Sequence, residues 1–84
     1  MDKIVYILKE INLLDSGERE FYVDVYANAE DAANDLEDQI QERLQEYNAR
    51  IEWRDGDNVK LIDDGGNIYL FEMELKAIKE TRDN

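Results

Sequence analysis

NAEDAANDLEDQIQERLQEYN, Asn28 to Asn48, is the stretch whose reading decides the fold. Ala29, Ala33, Leu36, Ile40, Leu44 and Tyr47 recur every three or four residues, so the spacing predicts an amphipathic helix with these on its inner stripe. Asn28 suits the N-cap, and Asp31 three residues on gives a capping-box-like start. Glu30 and Asp31 complement the positive end of the helix. Asn48 suits a left-handed stop. Asp31, Asp35, Asp38, Glu42 and Glu46 also step by three or four. At 100° per residue they fall within roughly an 80° sector, about opposite Leu36 and Ile40, and span about 22 Å. Like charges spaced i,i+4 repel by a few tenths of a kcal/mol per pair. Arg43, the only base in the segment, points elsewhere and leaves that repulsion unrelieved.

On the N-terminal side, Lys3–Lys9 (KIVYILK) reads as a strand. Ile4, Tyr6 and Leu8 point one way and Val5 and Ile7 the other, which suits a strand central in a sheet or covered on both faces. Asp15-Ser16-Gly17-Glu18 is a turn signal. In Arg19–Ala27, Phe21, Val23 and Val25 alternate with Tyr22, Asp24 and Tyr26, so the two runs should pair as an antiparallel hairpin.

Beyond the helix, Ala49–Arg54 alternates around Ile51 and Trp53, and Val59–Ile62 is a short strand between the turn signals Asp55–Asn58 and Asp63–Asn67. Ile68–Ile78 is a last strand, with Tyr69, Phe71, Met73 and Leu75 on one face. Residues 79–84 are expected to fray. The order β-β-α-β-β-β implies an α+β fold: a single small domain, an antiparallel sheet with one helix packed on it. One helix covers one sheet face. The second face is expected to carry Tyr22, Tyr26, Val5 and Ile7, with Ile68 and Leu70, either as a partner or homodimer surface or with its tyrosines at the rim.

The chain has 84 residues, 22 acids and 10 bases, a net charge of −12. Residues 28–48 hold seven of the acids and one base, half the imbalance in a quarter of the length. Such a charge disfavours nucleic acid and anionic membranes as direct partners and favours a basic protein surface. Solubility is the plain alternative reading of the same acids. No run approaches the ~20 apolar residues of a membrane span, and MDKIVYILKE is too short and wrongly flanked for a signal peptide. The absence of Cys fits a cytoplasmic protein.

Catalytic chemistry finds little footing. There is no His base and no Cys nucleophile. Ser16 lies in a turn and Thr81 near the end, neither with a base partner in sight, and Gly65-Gly66 lacks the Lys-Ser/Thr that follows a phosphate-cradling loop. Asp55–Asn58 and Asp63–Asn67 depart from the 12-residue calcium loop and read as turns, so no metal or cofactor is expected. Arg50 and Arg54 flank Trp53, but Glu52 and Asp55 neutralise them, and charge pairing within the sheet is the better explanation.

A DNA strand carries one charge per 3.4 Å of axis, and the helix acids carry one per roughly 4–5 Å. With Asp55, Asp57, Asp63 and Asp64 in the hairpin turns, they would form an anionic surface able to stand in for a phosphate backbone. The layout of KIVYIL, VDVYANAEDAANDLEDQI and IYLFEMELK resembles small proteins of phages and mobile elements. There a strand hairpin runs into a helix opening Glu30-Asp31-Ala32, and a late strand ends like Glu72-Met73-Glu74-Leu75. Several such proteins are anti-CRISPR or related anti-defence inhibitors, some of them acidic DNA mimics. The resemblance implies a non-catalytic inhibitor acting in the host cytoplasm on a nucleic-acid-handling complex. The expected contact residues, from the residues themselves, are Asp31, Asp35, Asp38, Glu42, Glu46, Asp55, Asp57, Asp63 and Asp64. The alternative is an acidic interaction or homo-oligomeric module without mimicry.

Overall fold

In the computed structural model, which describes residues 3–79, the elements are β1 (Lys3–Leu13), β2 (Arg19–Tyr26), α1 (Ala29–Glu46), β3 (Arg50–Asp55), β4 (Asn58–Ile62) and β5 (Ile68–Ile78). They form one five-stranded sheet in the order β2-β1-β5-β4-β3, every neighbouring pair antiparallel, with α1 laid across one face. The α+β reading and its element order therefore hold. The fraying expected over residues 80–84 lies outside the described residues, as does Thr81. No described helix is long and apolar enough to cross a membrane.

The helix begins and ends where its caps require. Asn28 Oδ1 accepts from Asp31 N at 2.8 Å, and the Asp31 carboxylate accepts from Asn28 Nδ2 at 3.0 Å. This reciprocal pair satisfies a backbone N–H that the first turn leaves without an intrahelical acceptor. At the other end Asn48 takes φ 53°, the left-handed region that Asn tolerates better than most residues. That turn lets both Tyr47 N and Ala49 N donate to Arg43 O, at 3.2 and 3.1 Å. Gly56 opens the two-residue β3–β4 turn at φ 61°, the sign its position in a type II′ hairpin requires.

Strand register sorts the side chains. Leu8 lies between Asp24 of β2 and Met73 of β5, and Phe71 is paired with both Glu10 and Val59. These positions face the helix. The core is Leu8, Val59, Leu61, Tyr69 and Phe71 from the sheet, with Leu36 and Ile40 from α1 and Ala49 beyond it. Two expectations are corrected here. The buried stripe of α1 is Ala32, Leu36, Ile40 and Arg43, whereas Ala29 and Ala33 are exposed. The helix is rotated because Arg43 turns inward to an acid on β1, and the small Ala32 packs at its other end. In β2, Tyr22 and Tyr26 lie on the helix face, and Phe21, Val23 and Val25 lie on the other. The reason is the register Ile7↔Val25 and Ile11↔Phe21, which puts them with the outward set of β1.

Among the described residues no layer covers that other face. Row by row across β2, β1 and β5 it reads Phe21–Ile11–Leu70, Val23–Lys9–Glu72 and Val25–Ile7–Glu74. Leu13, Ile68 and Ile62 continue the apolar surface at one end, and Trp53 of β3 sits beside Lys60. Phe21, Val23 and Val25 are 65%, 61% and 61% exposed. The shortest dimension of the molecule, 19 Å, is that of a helix on a single sheet.

Candidate functional site

The acids of α1 do not crown the helix. Taking Ala32, Leu36, Ile40 and Arg43 as the inner stripe, the acidic sector lies roughly 100° round from it, on one flank. The outermost positions carry amides instead, Asn34, Gln41 and Gln45, all exposed. The acidic flank is the one that faces β2, since Asp35 accepts a hydrogen bond from the Tyr26 hydroxyl. Burial, and after it this bond and the nearby carboxylates, pushes the Tyr26 phenol well above its usual range.

Of the nine acids expected to make contact, Asp31, Asp38, Glu42 and Glu46 are exposed on this flank and Asp35 is half-buried in it. Asp55 and Asp57 are exposed, but Asp55 ends β3 and Asp57 lies in the β3–β4 turn, at the sheet edge farthest from β2. Asp64 is exposed in the β4–β5 loop. These three do not extend the helix surface. Asp63 is a correction: it is only 6% exposed and serves the loop. Its Oδ1 accepts from Gly65 N and Asn67 N, both 2.9 Å, and its Oδ2 from Asn67 Nδ2 at 2.9 Å and the Tyr69 hydroxyl at 2.7 Å. Burial works to raise its pKa, but these four donors outweigh it and hold the carboxyl below its usual range. The same contact, after burial, lifts Tyr69 to about 12.

Sequence reasoning missed two acids of the flank. Glu20 and Asp24 of β2 share the helix-facing side with Tyr22, because Asp24 pairs with Leu8 and Glu20 with Asn12. They line a cleft of about 530 Å³ between β2 and the C-terminal half of α1, whose helix wall is Gln39, Arg43 and Tyr47. At its base Arg43 Nη2 bonds Glu10 Oε2 at 2.7 Å, and the guanidinium lies 5.1 Å from the ring centres of both Tyr47 and Tyr69. Burial pulls down the Arg43 pKa, but the two bonded carboxylates, Glu10 and Glu42, more than offset it and the group stays charged. The alternating pattern of β2 carried the signal for Glu20 and Asp24. Which of its two faces turned inward was not written in it.

The basic residues around Trp53 are tied down differently from the expectation. Arg54 pairs with Glu37 of α1 rather than within the sheet and donates from Nε to Gly56 O at 2.9 Å; beside Trp53 the intrasheet pair is Lys60–Glu52, at 3.5 Å. Glu37, on the helix flank away from β2, is held below its usual pKa range chiefly by the Arg54 bond. Among the described residues the β2-facing flank has no such neutralising partner beyond Arg43, which bonds Glu42 at 2.5 Å. Among the described residues no group of three or more acids is gathered closely enough to hold a metal ion. The chain matches no protein-family model, no curated protein and no solved structure.

Proposed function

We propose that this chain is a non-catalytic binding protein that docks the acidic flank of α1 on a basic, nucleic-acid-binding surface of a protein partner, occluding it as a phage-type, anti-CRISPR-like inhibitor would. One observation carries the reading. Asp31, Asp35, Asp38, Glu42 and Glu46 share a flank with Asp24 and Glu20 of β2, while the only base of the helix is buried, paired with Glu10 and Glu42, and so offsets just one acid of the flank. A surface of this kind releases counterions from a basic partner much as a phosphate backbone does. The cleft beside it, walled by Tyr22 and Tyr47 with Glu20 and Asp24, is suited to a Lys or Arg side chain of that partner, whose stem packs on the rings and whose charge meets the acids.

The test is capture of partners from a nuclease-treated host lysate by the wild type and by the triple variant Asp38→Asn, Glu42→Gln, Glu46→Gln. The reading expects a nucleic-acid-binding protein that the wild type retains at about 50 mM salt, loses at about 200 mM, and that the variant does not retain. Equal capture by both proteins, or a partner indifferent to salt, would remove the basis of the proposal.

A further inference from the structure

We infer that the open face of the sheet is a homodimer interface, on which a second copy of this chain packs its own open face to give a four-layer α-β-β-α particle. The first argument is area. Monomers rarely leave more than a few hundred Å² of contiguous apolar surface in water. Here Phe21, Val23, Val25, Trp53 and Ile78 are all about half exposed or more, and the half-buried Val5, Ile7, Ile11, Leu13, Ile62, Ile68 and Leu70 lie among them. Together they leave on the order of 700 Å² uncovered, close to the ~800 Å² per partner of a stable interface.

Charge gives the second argument and selects the occupant. The chain as a whole carries −12, so two copies repel over most of their surface. The open face is the exception. Register places Lys3, Lys9, Arg19, Arg50, Lys60 and Lys76 on it, against Glu72, Glu74 and Asp55. Within one copy Lys9 pairs with Glu74 at 2.7 Å and Lys60 with Glu52 at 3.5 Å. This face lacks the acid excess of the rest of the chain, so two copies approach on it without that repulsion, and under a two-fold axis bases without a partner in their own copy can meet Glu72 or Asp55 of the other. Two sheets stacked about 10 Å apart bury such a face as a sandwich does.

The arrangement leaves both copies of α1 on the outside, with their acidic flanks free. The dimer therefore presents two anionic surfaces per particle and gains avidity on any partner that offers two basic sites. The dimer itself rests on the open face alone and does not depend on the function proposed for α1.

Sedimentation equilibrium from about 1 to about 100 μM protomer tests it, since a dimer dissociates on dilution. The expected mass at the upper end is twice the 9.9 kDa of the chain. Val23→Glu with Phe21→Lys should return it to 9.9 kDa with an unchanged circular dichroism spectrum, because both positions are exposed on an edge strand. Trp53 gives a reading that needs no variant: its emission should shift to the red as the wild type is diluted. A monomer throughout, Trp53 emission independent of concentration, or a dimer that survives the folded double variant would each overturn the assignment. So would a dimer lost in the Asp38→Asn, Glu42→Gln, Glu46→Gln protein, which leaves the open face intact.

Discussion

Arg43 and Glu10, 33 residues apart in sequence, meet at 2.7 Å beneath α1, and each side chain retains about a tenth of its exposure. This bond fixes the rotation of the helix. It holds Arg43 on the inner stripe between the Tyr47 and Tyr69 rings, and so turns the acids to the flank beside β2. Breaking one side strands the other charge. Arg43→Met is expected to cost about 3–5 kcal/mol, a large share of the stability of so small a domain. The double change Glu10→Leu with Arg43→Met should cost less than Arg43→Met alone, because it removes both desolvated charges. Urea denaturation of the three proteins measures both quantities.

Asp63 makes stability depend on acid. Its folded pKa is lowered, so its contribution is fully present above the unfolded value of about 3.9 and is lost as pH falls through the folded value. Asp63→Asn should cost about 1–3 kcal/mol at pH 7, by setting an amide N–H against donors that now meet a carboxylate. The gap in melting temperature between wild type and variant should close as the pH drops below about 4. A gap that stays constant over that range would show that the charge of Asp63 contributes nothing.

The same contact acts at the alkaline end. Tyr69, raised to about 12, keeps its proton in the folded chain after the unfolded chain has lost it near pH 10. Stability therefore falls from about pH 10 to about pH 12. An ultraviolet titration of the phenolate band should contain a component near pH 12 that Tyr69→Phe removes.

Crowding five acids on one flank of α1 costs stability, at a few tenths of a kcal/mol per i,i+4 pair. Neutralising Asp38 and Glu46 together, which leaves the Glu42–Arg43 pair intact, should raise the melting temperature by about 1–4 °C, and added salt should raise that of the wild type more than that of the variant. If neutralisation destabilised the protein, the acids would be serving the fold, and the functional reading of the flank would lose its footing.

Local signals wrote most of this fold into the sequence. The caps Asn28 and Asn48, the glycine turns and the alternation in β2 and β5 each depend on residues a few positions apart, and they gave the helix, the strands and their order. What they did not give depends on distant partners. Ala29 and Ala33 share the period of Leu36 as well as Ala32 does; only the pairing of Arg43 with Glu10 decides between them. In β2 both faces carry large apolar or aromatic groups, and tyrosines suit the helix side because the Tyr26 hydroxyl finds Asp35 there. Asp63 looked like any turn acid until Tyr69 and Asn67 closed round it. The acidic flank was legible as five residues, and its extension through Glu20 and Asp24 was not.

The most direct measurement is displacement of nucleic acid from the captured partner. A fluorescent strand bound to that partner is titrated with wild type and with the Asp38→Asn, Glu42→Gln, Glu46→Gln variant, at two salt concentrations. The account predicts that the wild type releases the strand in a salt-dependent way and that the variant releases little. Simultaneous binding of strand and wild-type protein, or equal release by the variant, would contradict it.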